Sequence, residues 1–415
     1  MPDSTDNSPS LPGDRLRDIR LSRGLTQEGL AERAGLSLGV IKKIERGGTA
    51  RLETYHTLAR ALRVRTSQLL DPSGPHATVR DDRDKIDLMP LRQAISPPMT
   101  LSGGLLLSDT VDGDPDLHQL RSTASALATA YYGDDYGKLA ELLPALIQSA
   151  RLAVAHYDTG PQGVEALRLR ADVLQMAGRY LTQVRAYDLA HAALRESVSD
   201  AVAAGDRTSA ASAVYLQGWT LIRQGRLDET EALAVATADD IEPRISRASR
   251  AELGVWGRLL IRGSSAAARN NRPDEARQML RLARTAGAAL GGGTARHPYG
   301  WGAFNAGTVA LQAVENHVVG GRPDRVLGLA ERIASSSISM TTNTRWRHHL
   351  DIAQAHTQLG HGRQATEVLA QIHGQAPEWL RHQQLAASIF QDALRSTGRR
   401  LSRSQRHLAA CFGVA

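Results

Sequence analysis

Few residues of this 415-residue sequence are arranged for bond-making chemistry, and more are arranged to hold a polyanion. The single cysteine, Cys411, rules out a disulfide within the chain and any cysteine-cluster metal site. His348, His349, Asp351 and His356 fall within nine residues but match no metal-ligand spacing, and read as solvated or groove-lining side chains. Gly291-Gly292-Gly293 runs into Thr294-Ala295-Arg296 instead of Gly-Lys-Ser/Thr, so no phosphate-binding loop is expected. Nothing resembles a nucleophile elbow. The expectation is a non-enzymatic protein with no catalytic residues, no cofactor and no metal. By contrast Lys42 and Lys43 stand side by side, and they are half of the lysines in a chain whose basic residues are otherwise arginine.

Charge is unevenly placed. Net charge is +7, and residues 13–72 hold twelve Lys/Arg against seven Asp/Glu, an excess of five in sixty residues. The first twelve residues contribute −2, which leaves +4 for the remaining 343. A positive excess concentrated in one small segment suits a nucleic-acid-binding module. No apolar run is long enough to span a membrane, and the N-terminus carries Asp3 and Asp6 where a signal peptide would be basic. The expected location is the cytoplasm, with association to the nucleoid when DNA is bound, and no membrane partner.

The elements that would position those lysines follow from periodicity and punctuation. Leu16 and Ile19 give a first helix its apolar face. Thr26 is a suitable N-cap for a second, and Gly29 three residues on precludes a reciprocal capping box. Leu30, Ala31 and Ala34 form that helix's inner side, and Gly35 supplies a left-handed turn. Ser37 is expected to cap a third helix with Val40, Ile41 and Ile44 inward and Leu38, Gly39, Lys42 and Lys43 outward. Gly47-Gly48 ends it. A fourth helix carries Leu52, Tyr55, Leu58, Ala59 and Leu62 on one face, and a short fifth covers 67–70.

The run from Leu25 through Ser37, continuing to Ile44-Glu45-Arg46-Gly47, resembles the phage-repressor-like (XRE) helix-turn-helix family, with Ala31, Gly35 and Ile41 at the positions of the turn signature. The resemblance implies that helix 3 enters the major groove of double-stranded operator DNA. It implies a phosphate contact from Gln27 at the start of helix 2, and base-facing positions at Ser37, Leu38, Gly39 and Lys43. Lys42, Arg46 and Arg51 are assigned to phosphates, and Arg20 and Glu45 to an ion pair tying helices 1 and 3. Leu38 and Gly39 depart from the polar readers of the family, which implies modest direct readout, supplemented by a thymine methyl contact or DNA shape.

Beyond this segment, a Pro/Gly/Asp-rich stretch over 73–115 reads as a linker holding a short docked helix near 86–95. Residues 116–415 return to helical periodicity without strand-like alternation. Similar turns recur at Gln224–Glu229, Asn271–Ala276, Gly321–Asp324 and Gly360–Arg363, with their arginines 46, 50 and 41 residues apart, and Gly178-Arg179 precedes them by 47. Such spacing predicts an all-α chain: a five-helix helix-turn-helix domain (13–72), then an α-solenoid of helical hairpins. The hairpin pattern is loosely similar to tetratricopeptide-like sensor domains joined to XRE modules, although those repeats are shorter. Trp256, Trp301 and Trp346, spaced by 45, are read chiefly as packing between hairpins. Trp301 with Asn305, and Arg345 with His349, stand four apart and are the candidates for a groove accepting a peptide or small-molecule effector. The expected protein is a homodimeric, signal-responsive transcriptional regulator. The rival reading is a helical-repeat protein–protein adaptor with secondary DNA binding.

Overall fold

A computed structural model describes residues 12–70, 88–101, 105, 114–297, 303–334, 340–396 and 401–413. Among these residues the chain is helical throughout, with only two isolated β-bridges, Met99 to Leu105 and Ala295 to Phe304. The N-terminal unit contains α1 (Pro12–Ser22), α2 (Gln27–Ala34), α3 (Leu38–Glu45), α4 (Leu52–Leu62) and α5 (Thr66–Leu69). Its core is closed by Leu16, Leu30, Ile41, Ile44, Leu58 and Leu69, none of which retains solvent exposure. Each such side chain contributes about 1.5–3 kcal/mol of transfer free energy. Residues 12–70 therefore hold a continuous apolar centre despite their small number.

A short helix α6 (Met89–Ile95) lies in the segment read as a linker and is packed down: Leu91, Ala94 and Ile95 are buried. Arg151 fixes its end by donating to the carbonyls of Ala94 and Ile95, both at 2.8 Å. The remaining helices run as α7 (Leu117–Tyr132), α8 (Tyr136–His156), α9 (Gly160–Gln183), α10 (Tyr187–Ala203), α11 (Arg207–Arg223) and α12 (Leu227–Asp240). There follow α13 (Arg250–Arg269), α14 (Pro273–Ala289), α15 (Ala306–Val319), α16 (Pro323–Ala334), α17 (Thr342–Gln358) and α18 (Gly362–Gln375). The chain closes with α19 (Pro377–Arg381), α20 (Gln384–Ser396) and α21 (Arg403–Phe412).

Successive helices pack on one another, and from α7 to α17 each odd-numbered helix also lies against the next odd-numbered one. The odd helices thus form a continuous layer, with even helices packed between successive members. The turns expected at 224–229, 271–276, 321–324 and 360–363 all join helices, and Gly225, Asn271, Gly321 and Gly360 adopt the left-handed conformation there. Gly178-Arg179 does not form a turn. Both residues lie inside α9, and the left-handed residue that follows that helix is Arg185. Gly178 is small for a packing reason: a Cβ at that position would come within 2.4 Å of Leu194 Cγ.

The array's two ends meet. One apolar cluster contains Leu139, Leu143 and Tyr180 from its beginning and Leu380, Phe390 and Leu408 from its end. Tyr136 and His382 approach with ring centroids 5.7 Å apart, and Arg223 donates to Gln383 Oε1 at 3.4 Å. Trp256 and Trp346 are buried in separate clusters, as packing residues would be.

The N-terminal unit is fastened to this array through α4 and α5. His56 is buried at the junction, with Nδ1 facing the carbonyl oxygen of Arg269 and Nε2 2.9 Å from that of Val319. Arg60 donates to the same Val319 carbonyl at 3.0 Å, and Thr66 Oγ1 to that of Arg269 at 2.5 Å. Ser67 N–H donates to Asn270 Oδ1 at 3.0 Å, and Asn271 Nδ2 to the Val64 carbonyl at 3.2 Å. Arg269 and Val319 end α13 and α15, two odd helices. Carbonyls in a helix's last turn lack intrahelical partners and carry partial negative charge, so donors and a cation from α4 and α5 complement them.

Candidate nucleic-acid interface

The α2–α3 pair follows from its punctuation. Thr26 Oγ1 accepts from Gly29 N–H at 3.0 Å, which satisfies one orphan donor of α2. Gly35 takes φ +65°, allowing Leu36 N–H to reach back to the Ala31 carbonyl at 2.9 Å and turn the chain into α3. Ser37 occupies the N-cap position of α3 in extended conformation, but its hydroxyl makes no capping bond. The expected cap is therefore absent, and the exposed hydroxyl remains available to a ligand.

The face of α3 that carries the basic residues is open. Ser37, Gly39, Lys43 and Arg46 are exposed and Lys42 is half-buried, while Ile41 and Ile44 point into the core. Leu38 is only half outward, because part of its side chain packs against that core. Arg20 and Glu45 brace the helix from behind in a two-pronged pair, Nε to Oε1 at 2.6 Å and Nη2 to Oε2 at 3.0 Å. Their side chains are 7% and 4% exposed, so the pair is withdrawn from solvent. Burial alone would raise the Glu45 carboxyl, but hydrogen bonds from Arg20 and Gln27 overcome this and hold it below the usual range.

Two expected phosphate ligands are otherwise engaged. The Gln27 amide nitrogen donates to Glu45 Oε2 at 2.7 Å, joining α2 to the Arg20 pair. One donor of that amide thus joins the brace of α3, because Glu45 presents a charged acceptor within its reach. Arg51 donates from Nη2 to Gln391 Oε1 of α20 at 3.0 Å, so it ties the N-terminal unit to the array in this state.

Asn305 stands just before α15, and Arg345 and His349 lie within α17. Trp301 lies outside the described residues. Asn305 is the extended N-cap of α15, accepting from Thr308 N–H at 3.0 Å and donating to Thr294 Oγ1 at 3.0 Å. It therefore shares no helix face with residue 301. Arg345 and His349 do share a face of α17, where His349 Nδ1 contacts the Arg345 carbonyl at 2.9 Å and the ring packs edge-on to Trp346. The neighbouring odd helices are met instead by Arg347, which pairs with Glu315 of α15 at 3.4 Å.

Sequence reasoning missed a strip of arginine and tyrosine on the odd helices. Arg179 of α9 stands 6.0 Å over the ring of Tyr131 in α7. Arg258 and Arg262 of α13 lie 5.4 and 4.4 Å from the ring centre of Tyr215 in α11. The i, i+4 spacing of Arg258 and Arg262 was the one available signal, and many solvated helices carry it. No group of three or more His, Cys, Asp or Glu suited to a metal occurs among the described residues.

Residues 16–69 match the family model of the helix-turn-helix. No curated protein and no solved structure matches the chain. The N-terminal unit is thus a helix-turn-helix, the architecture of a DNA-binding module. No helix among the described residues is long and apolar enough to cross a membrane.

Proposed function

We propose that this chain is a sequence-specific transcriptional regulator that reads operator DNA through α3. It acts as a homodimer, so that two readers meet two half-sites. Residues 116–415 are its sensor, a tetratricopeptide-like solenoid whose odd-helix layer receives a peptide or small-molecule signal. Residues 73–115 connect the two, with α6 docked on the sensor. The protein works by binding, not catalysis, in the cytoplasm and at the nucleoid.

One observation carries the reading. The basic face of α3 is open while α4 and α5 of the same small domain grip the ends of α13 and α15. A shift of those helices would move the reader directly, without a flexible intermediary.

The test is retardation of DNA from around the chain's own gene by the full-length protein, over a salt series with random competitor, alongside its mass in solution. The expected result is a specific complex with two copies per site. Uniform, weak affinity for every sequence would overturn the regulator and favour the adaptor.

A further inference from the structure

We infer that the odd-helix layer contains an oxyanion site, built on Arg258, Arg262 and Tyr215, that takes the phosphate group of a small molecule. The site stands on side-chain geometry, and only its coupling to DNA rests on the sensor role proposed above.

Two cations share one ring here, and neither forms a contact ion pair; Glu315 acts on Arg262 only from beyond 4.0 Å. Among the described residues, no carboxylate lies within 4.0 Å of Arg258 or Arg262, and Glu315 is already paired with Arg269 and Arg347. Arg258 is 7% exposed, yet its Nη1 has no hydrogen-bond partner. Arg262 Nε is likewise shielded and unpartnered. A buried guanidinium with unmet donors is unfavourable unless something fills them. The cation–π contacts with Tyr215 place the two forks but satisfy none of their N–H groups.

The surroundings are positive. Burial would push the Tyr215 phenol up, but Arg262, Arg258 and Arg179 together draw it below its ordinary value. Burial drives Arg258 down to about 10, the response of a cation short of anionic company. Space for the arrangement is provided: a Cβ on Gly218 of α11 would come within 2.8 Å of Arg262 Cγ. Tyr215 and Arg262 are only half-buried, so a solute can reach them.

The chemistry selects phosphate. Guanidinium forks match the paired oxygens of carboxylate or phosphate. Two forks, with no carboxylate in contact with either, suit a doubly charged phosphate monoester over a singly charged carboxylate. The ring of Tyr215 is occupied by the guanidinium groups, and its hydroxyl is a further donor. Free inorganic phosphate and a phosphorylated organic molecule present the same group, and the experiment separates them.

The full-length protein is melted at constant ionic strength with inorganic phosphate, phenyl phosphate or benzoate. Wild type is compared with Arg262→Lys and with the double variant Arg258→Met/Arg262→Met. Saturable stabilisation by phenyl phosphate is expected, with benzoate weaker. If inorganic phosphate saturates at the same concentration, free phosphate is the ligand. If it needs about tenfold more, an organic phosphate is. Arg262→Lys keeps the charge, loses the fork and should weaken affinity about tenfold or more. The double variant should not respond, and should melt higher than wild type without ligand because a buried cation and a half-buried one, neither in an ion pair, are replaced by apolar side chains. The site is overturned if no phosphate stabilises saturably, if wild type and double variant respond alike, or if the double variant melts lower without ligand. Phosphate binding that leaves operator affinity unchanged would retain the site and remove its link to DNA.

Discussion

At the scale of single residues, the pair Arg20–Glu45 governs the reader although it never faces DNA. Its two side chains are almost fully withdrawn from water, with Gln27 as a third member. Removing one partner of a buried pair leaves the other uncompensated, at a cost of about 3–5 kcal/mol. Arg20→Ala should therefore lower the full-length protein's stability by that order, and pairing it with Glu45→Ala in a double-mutant cycle should return a large coupling energy. A coupling near zero would mean that the pair contributes nothing net. Lys43 and Lys42 should differ in kind. Lys43→Ala, on the exposed side, should cost about 1–3 kcal/mol on the operator and relax preference at one base pair. Lys42→Ala should weaken all sequences alike and lower the salt slope by about one. Identical base preferences and salt slopes in the two variants would refute this division. The ion pair was legible through the family resemblance because both of its members lie within one small domain. The second engagements of Gln27 and Arg51 were not. Gln27 had a stronger acceptor in Glu45 than the position alone suggests, and Arg51 meets a residue 340 positions away.

Elements were read most reliably where punctuation decides them. Gly35, Gly225, Gly321 and Gly360 each sit at a left-handed turn, as expected from the residues around them. Gly178 misled because glycine also serves close helix packing, and the sequence does not distinguish the two uses. The fall of residues onto particular faces was harder to foresee. Asn305 and residue 301 are four apart, but four apart means one face only inside a helix, and α15 begins after Asn305. That position makes a clear forecast. Asn305 accepts from Thr308 N–H, so Asn305→Ala should cost about 0.5–2 kcal/mol as the loss of an N-cap. Thermal or denaturant unfolding measures this, and phosphate affinity of the same variant should match wild type. A variant of full stability with impaired ligand binding would restore Asn305 to the groove. The arginine–tyrosine strip escaped notice for a related reason. Its members come from α7, α9, α11 and α13, and only the packing of odd helices side by side unites them.

At the scale of the whole molecule, the reader and the array are joined through groups that respond to pH. His56 is enclosed between α4 and the ends of α13 and α15, with Arg60 and Arg269 the charged neighbours that act on it. Burial lowers its pKa from 6.5 to about 4, against the opposing pull of the Arg269 and Val319 carbonyls, while Arg60 and Arg269 lower it further. A released His56 would accept a proton near 6.5, whereas the docked one resists it until about pH 4. The docked arrangement therefore has this group's full contribution above pH 6.5 and loses it as pH falls toward 4. By pH 5 the loss amounts to roughly 2 kcal/mol, a factor of about thirty in the docking equilibrium. Amide hydrogen exchange, corrected for its intrinsic pH dependence, should show residues 52–69 and 266–271 becoming less protected between pH 7.5 and 5. Residues of the array core, such as 169–181, should stay protected. Replacing His56 with glutamine removes the titrating group and should flatten the pH response, whatever it does to docking at neutral pH. Because α13 carries both Arg258 and the carbonyl that holds His56, phosphate should shift the same exchange profile if the strip communicates with the reader. Equal protection at both pH values in wild type would show that His56 does not control the junction.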